Sequence, residues 1–119
     1  MDFKSNKPIY MQIVDFCFQK ILIGEWKDDE RIPSVRELGM MLQVNPNTAM
    51  RAFEYLQSED VIYLKRGTGY YVQNNARKKI LQIQKQEFFD ETLNEVFQSM
   101  NLLDISINEI VERYNRKKK

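Results

Sequence analysis

Apolar residues recur on a helical period from Ile9 onward: Ile9, Ile13, Phe16 and Cys17 share one stripe, while Phe18 and Leu22 lie off it. Pro8 near the first turn and Gly24 just past the end frame a helix between them. A helix apolar on more than one side needs a cover from beyond its own small domain, and Phe18 and Leu22 mark where that cover is expected. A polar stretch, Glu25 to Arg31, leads to Ile32-Pro33-Ser34. Ser34 and Glu37 have capping-box spacing, so each side chain can satisfy the other's free backbone N–H, and a short helix is predicted from Val35 to Leu42.

A second start signal follows at once. Asn45 as N-cap and Pro46 at the first helical position open a helix that runs to about Glu59. Two helices joined so tightly predict a helix-turn-helix, with Gly39, Ala49 and Ala52 small enough to let the axes approach. In the second helix, Ala49, Ala52, Phe53 and Leu56 form one apolar face; Asn47, Met50, Arg51 and Glu54 lie opposite. Val61 to Leu64 and Tyr70 to Val72 are β-branched and aromatic runs, joined by Arg66-Gly67-Thr68-Gly69, whose glycines permit a tight hairpin. Tyr63, Tyr70 and Tyr71 are expected to pack on the strand faces. This order of elements, mainly α with a small β-hairpin, predicts a winged helix-turn-helix DNA-binding domain over residues 1–74.

Beyond that point the pattern is all helix. Leu93, Val96, Phe97 and Met100 repeat as i, i+3, i+4, i+7, preceded by Ile80, Ile83 and Phe89. Ser106 and Glu109 have the spacing of another capping box, and Leu103, Ile107, Ile110, Val111 and Tyr114 continue the same period around it. Two amphipathic helices in so short a segment cannot close a core alone. Residues 75–119 are therefore expected to be a two-helix dimerisation segment. Its contact set would be Phe89, Leu93, Val96, Phe97, Met100, Leu103, Ile107, Ile110, Val111 and Tyr114, helped by Phe18 and Leu22 of the first helix.

Composition narrows the chemistry. The 119 residues are 43% apolar and 29% charged, sized for one globular unit with an appendage. No apolar run approaches the ~18 residues of a membrane span, and Met1-Asp2-Phe3-Lys4 lacks the apolar core of a signal peptide. The expected location is cytoplasmic, with no membrane partner. The single Cys17 excludes an internal disulfide and reads as a buried apolar residue. Histidine is absent, which removes the Ser-His-Asp and Cys-His arrangements and any ordinary zinc site. Neither an enzyme, nor a metal, nor a cofactor is expected. Lys plus Arg number 18 against 17 Asp plus Glu; up to Asn75 the count is 9 basic and 10 acidic, and after it 9 and 7. Binding to nucleic acid would thus need a local patch and shape, not bulk charge. The acidic run Asp28-Asp29-Glu30 reads as a solvated loop, and Gly67-Thr68-Gly69 lacks the residues that complete a nucleotide loop.

Four stretches together resemble the GntR family of bacterial transcription regulators: Pro8 to Ile13, Ile32 to Leu38, Val44 to Thr48, and Arg66 to Val72. The likeness covers residues 8–72 in unbroken order, and the short helical tail resembles the YtrA-type branch, whose members carry a small two-helix dimerisation segment. Asp29 stands where the family usually has glycine, Ile32 replaces its leucine, Asp60 replaces a common glycine after the recognition helix, and Tyr70 a common threonine. Pro46 occupies a position where many members carry arginine and matches a frequent YtrA-type variant.

The resemblance implies a homodimeric repressor on a palindromic, double-stranded DNA operator. It also implies control of a neighbouring operon, often one encoding an ABC transporter. From pattern alone Arg36 is a solvated helix charge; the resemblance makes it a DNA-contacting arginine. Ser34 is read first as a cap and second as a phosphate contact. At the start of the recognition helix Asn47 can pair with adenine, Arg51 with guanine, and Thr48 with either phosphate or base edge. In the wing, Lys65, Arg66, Gly67, Thr68 and Gly69 are implied to reach the minor groove. No polar constellation marks an effector pocket. Two other classes compete: a protein–protein adaptor on a winged-helix scaffold, which the near-neutral first part mildly favours, and a sequence-independent architectural DNA binder, which the same charge count disfavours.

Overall fold

The structure, a computed structural model, describes residues 6–118. It divides into two compact units, the first ending at Leu81 and the second beginning at Gln82. The first unit holds α1 (Ile9–Leu22), α2 (Val35–Leu42), α3 (Pro46–Ser58), β1 (Ile62–Lys65), β2 (Gly69–Val72) and the start of α4 (Ala76–Glu87). It runs past the sequence-based boundary at residue 74 because Ala76 and Ile80, on the first turns of α4, are buried in a hydrophobic core.

Local chemistry explains where these helices begin. Pro8 is the N-cap of α1, and its carbonyl accepts from the Met11 and Gln12 amides at 3.0 and 3.2 Å. At the far end Gly24 takes φ +83°, which lets the Glu25 and Trp26 amides both turn back onto the Lys20 carbonyl at 3.0 Å. The Arg77 guanidinium also donates to the Leu22 carbonyl at 2.6 Å, placing a cation at the negative end of α1. Ser34 and Glu37 form the full capping box, at 3.1 and 3.0 Å. Asn45 caps α3 through its side-chain oxygen, which accepts from the Asn47 amide at 2.8 Å. Between α2 and α3 the chain reverses at Gln43, φ 56°, with the Val44 amide donating to the Gly39 carbonyl at 2.9 Å.

Helices α1 and α2 both pack on α3. Ile13, Val14, Cys17, Leu38, Ala49, Ala52, Phe53 and Leu56 are wholly buried there. Phe18 is 2% exposed and so already covered within the chain. The outside cover anticipated for it is not needed, because a small bundle can wrap a helix on two sides. Burial holds the Cys17 thiol up at about 12.

The hairpin pairs Ile62 with Val72, Tyr63 with Tyr71, Leu64 with Tyr70 and Lys65 with Gly69. A third segment joins it that the sequence did not announce. The Asp29 amide donates to the Val72 carbonyl at 2.8 Å, the Val72 amide to Glu30 at 3.0 Å, and the Ile32 amide to Tyr70 at 2.9 Å. The acidic run is therefore not merely a solvated loop: it pairs with β2, and the Asp28 carboxylate accepts from the Asn75 amide at 3.2 Å at the threshold of α4. Asp29 and Asp60, the two aspartates at usual glycine positions, have φ 61° and 58°. They adopt the left-handed backbone that favours glycine and that aspartate tolerates better than most residues.

The second unit comprises the last residues of α4, a π-helical turn at Phe88–Thr92, α5 (Leu93–Leu103) and α6 (Ile107–Lys117). From the first turn of α5 the Asn94 side-chain amide donates back to the Asp90 carbonyl of that wider turn at 2.7 Å. Asp104 turns the chain between α5 and α6 with φ 56°, and Ser106 caps α6 by accepting from the Glu109 amide at 3.2 Å. Nothing in α5 or α6 is buried. Among the described residues no helix is long and apolar enough to cross a membrane.

Candidate nucleic-acid interface

Helix α3 is built as a two-faced rod with a free N-terminus. Its buried face, Ala49, Ala52, Phe53 and Leu56, is fully covered, whereas Asn47, Met50, Arg51 and Glu54 are exposed. Thr48 is half-buried between the two. Asn45 uses its side chain to cap the helix, and Pro46 has no amide to satisfy, so the exposed first turn presents Asn47 beside the positive end of the helix dipole. Gly39 sets how close α2 can come. A Cβ there would lie 3.2 Å from the Val44 carbonyl oxygen and 3.7 Å from the Pro46 Cα, which would push the two helices apart.

Arg36 projects from the exposed first turn of α2. Ser34 beside it accepts from Glu37, so its hydroxyl oxygen is committed to the cap. The Glu37 carboxyl is held below the usual range, first by the Ser34 backbone N–H, then by the Ser34 side chain, with a smaller pull from the Arg31 charge. The capping role predicted for Ser34 is thus the one its geometry displays.

The wing tip is a tight turn in which the Thr68 amide and the Thr68 hydroxyl both donate to the Lys65 carbonyl, at 3.0 and 3.1 Å. Thr68 therefore closes the turn. Lys65, Arg66, Gly67 and Thr68 are all exposed, and Gly67, with φ 82°, has open space where a Cβ would stand. The wing is fastened on both sides. The Tyr70 ring meets Phe53 of α3 edge-on at 4.9 Å, and Tyr71 stacks on Tyr63 at 5.6 Å. Tyr63 donates its hydroxyl hydrogen to Asp29 at 3.1 Å, and the tyrosines serve as strand-face packing.

Two residues at this surface escaped the sequence reading. The Arg31 guanidinium crosses the root of the wing, where a Cβ on Gly69 would lie 3.0 Å from its Nε. It is brought there by the isolated bridge between Arg31 and Tyr71. No local pattern in Glu25 to Arg31 signals that pairing. The other is Tyr10 of α1, whose ring lies under the Arg51 guanidinium with 4.2 Å between the guanidinium carbon and the ring centroid.

All the residues expected to touch DNA (Ser34, Arg36, Pro46, Asn47, Thr48, Arg51 and Lys65 to Gly69) lie in the first unit. The expected dimer set is split. Phe18 and the half-buried Leu22 belong to the first unit; Phe89, Leu93, Val96, Phe97, Met100, Leu103, Ile107, Ile110, Val111 and Tyr114 belong to the second.

Comparison with known proteins bears on what this surface serves. The family described as "Bacterial regulatory proteins, gntR family" matches residues 9–72. The HTH-type transcriptional regulator YhcF of Bacillus subtilis is 31% identical over 92% of this chain and 89% of its own length. The HTH-type transcriptional repressor YtrA of the same organism is 37% identical over 69% of this chain and 63% of its own. Among solved structures, a GntR-family regulator from Bacteroides thetaiotaomicron superposes with a TM-score of 0.80 at 42% identity, covering 92% of this chain and 95% of that one. YtrA from Sulfolobus acidocaldarius gives 0.57 at 30%, covering 98% and 92%. AraR(DBD) in complex with operator ORR3 gives 0.55 at 26%, over 60% of this chain and 87% of that one.

Proposed function

The chain belongs to the gntR family of bacterial regulatory proteins, in its YtrA type, as a transcription regulator and not an enzyme, and from that premise we propose that it acts as a homodimeric repressor on a palindromic operator. One observation carries this reading. Helix α3 buries Ala49, Ala52, Phe53 and Leu56 and leaves a capped, solvent-facing N-terminus bearing Asn47 and Arg51, the end that a recognition helix presents to base edges.

In this reading Asn47, Thr48 and Arg51 enter the major groove, with Pro46 allowing the close approach of the helix start. Arg36 contacts DNA from α2. Lys65, Arg66 and Gly67 reach phosphates and the minor groove, where Gly67 admits close backbone approach. Thr68 and Gly69 shape the tip, and Ser34 can meet a phosphate only in addition to its cap. The AraR(DBD) complex with an operator supports DNA as the partner, and the repressor YtrA supports repression. Repression follows physically if the bound dimer occupies promoter DNA that polymerase needs.

Residues 75–119 supply the second half of the proposal. The exposed apolar faces of α5 and α6 meet those of a second copy, which fixes the half-site spacing. Control of a neighbouring ABC transporter operon, and a cytoplasmic location, belong to the same proposal.

The test is binding of the purified full chain to the DNA upstream of its own gene, with excess competitor and about 150 mM salt, read by footprinting. The expected result is a discrete palindromic footprint that resists competitor. Uniform weak binding that disappears with salt would replace the repressor by an architectural role. No binding by a folded dimer would replace it by the adaptor.

A further inference from the structure

Arg51 stands on the exposed face of α3, but its cation is not loose. Its guanidinium carbon lies 4.2 Å from the centroid of the Tyr10 ring. A guanidinium at that distance over an aromatic face is attracted by the ring's quadrupole, and a flexible side chain gives up rotamer freedom to stay there. A guanidinium that lies parallel to a ring uses only its flat face, which leaves its in-plane N–H groups free for a bidentate contact to guanine O6 and N7.

The helix that carries the ring is well anchored. Tyr10 is half-buried on α1, which packs on α3, with Ile13, Val14 and Cys17 of the same helix wholly buried. Lys65 over Tyr71 is a different case: the ammonium is 5.7 Å from its ring centroid, on a compact charge with no planar donor edge.

We propose that Tyr10 is a positioning residue for base recognition: it holds the Arg51 guanidinium stacked in the free protein, so that less side-chain motion has to be frozen when DNA binds. The inference rests on the reading of α3 as the recognition helix. It assigns to α1 a part in specificity beyond packing.

The experiment uses the full chain as wild type, Tyr10→Leu, Tyr10→Phe, Arg51→Ala and the double variant Tyr10→Leu with Arg51→Ala. The probe is the duplex that wild type selects from a random-sequence double-stranded pool, together with copies altered one base pair at a time. Tyr10→Leu is expected to weaken binding about five- to tenfold, with the loss concentrated at the base pair that Arg51→Ala ceases to discriminate. Tyr10→Phe should bind within about twofold of wild type, because the ring and not the hydroxyl does the stacking. In the Arg51→Ala background Tyr10→Leu should change nothing further. The salt dependence should be the same in wild type and Tyr10→Leu, since no cation has been removed. In the DNA-free protein, ring-current shifts of the Arg51 side-chain resonances should persist in Tyr10→Phe and vanish in Tyr10→Leu.

Equal losses in Tyr10→Phe and Tyr10→Leu would make the hydroxyl a phosphate contact and overturn the proposal. Additive losses in the double variant, wild-type binding by Tyr10→Leu, or ring-current shifts absent from wild type would overturn it as well. If wild type selects no duplex at all, the recognition-helix reading fails first and takes this inference with it.

Discussion

Tyr70 of the second strand meets Phe53 of the third helix edge-on, with 4.9 Å between ring centroids and 87° between ring planes. Phe53 is wholly buried on the inner face of α3, and Tyr70 lies beside the wing tip. One aromatic contact thus ties the hairpin to the helix whose opposite face bears Asn47 and Arg51, so wing and helix are held as one surface.

If that contact fastens the wing, Phe53→Leu and Tyr70→Leu should each destabilise the fold and should couple. An edge-to-face pair contributes about 0.5–1.5 kcal/mol beyond area burial, and a double-mutant cycle by urea unfolding should return a coupling of that size. A coupling near zero would mean that the hairpin is held instead by its buried Val61, Ile62 and Val72 and by its hydrogen bonds to Asp29, Glu30 and Ile32.

Cations in the helix and in the wing should fail differently. Arg36→Ala or Arg51→Ala should cost about 1–3 kcal/mol of specific binding and relax discrimination at one position of each half-site. Lys65→Ala and Arg66→Ala should weaken operator and competitor DNA alike, each lowering the slope of log affinity against log salt by about one. Wild-type affinity in both Arg36→Ala and Arg51→Ala would show that the proposed orientation is wrong.

What could be read from the sequence was what is settled within a few residues. Ser34 with Glu37 and Asn45 with Pro46 announce two helix starts because a cap bonds to amides two or three residues away. The division of α3 into Ala49, Ala52, Phe53 and Leu56 against Asn47, Met50, Arg51 and Glu54 follows from helical period alone. The pairing of residues 29–32 with β2 was not legible, since an acidic run carries no strand signal and its partners Tyr70 and Val72 lie far along the chain. For the same reason Arg31 beside Gly69, and Tyr10 under Arg51, appear only once the chain is folded. Phe18 is covered by the fold itself, which a helical stripe does not announce: it tells how many sides are apolar, not what covers each.

The left-handed backbone at Asp60 offers a stability test. With φ 58°, this residue adopts a conformation that glycine takes without strain. Asp60→Gly should raise unfolding stability by roughly 0.5–1 kcal/mol, and Asp60→Val should lower it by about 1–2 kcal/mol. Asp29→Gly should gain less, because Asp29 also accepts the Tyr63 hydroxyl at 3.1 Å. A destabilising Asp60→Gly, measured by urea titration, would show that the aspartate side chain matters more than the backbone strain.

Cys17 should be silent until the protein unfolds. It is wholly buried, and burial pushes its thiol up to about 12, far above the pH at which disulfide reagents meet a thiolate. At about pH 8 the native protein should not react with an aromatic disulfide, and the urea-unfolded chain should react fully. Because the folded value lies above the ordinary 9.0, this group's contribution to stability is present below about pH 9 and is lost as pH rises towards 12. Stability should accordingly fall less steeply with alkali in Cys17→Ala than in wild type. Rapid labelling of the native protein would mean that the α1–α3 core opens readily.

The last prediction concerns the second copy. Helices α5 and α6 bury none of their residues, and Leu103, Ile107, Val111 and Tyr114 are 65, 57, 48 and 64% exposed. Apolar groups repeated along one face and left in water favour association, since burying each large aliphatic side chain stabilises by about 1.5–3 kcal/mol. The full chain should therefore sediment at twice its own mass at micromolar concentration. Ile107→Glu together with Val111→Glu should yield a monomer, because two carboxylates placed on that face would have to be desolvated against a like pair across a two-fold axis. The first unit should keep its cooperative unfolding transition in that variant, since neither position is buried. Operator affinity should drop by well over tenfold, because a single half-site loses the effective concentration that the second one supplies. A wild-type protein that sediments as a monomer, or a double variant that remains dimeric, would remove this face from the dimer and leave the palindrome unexplained.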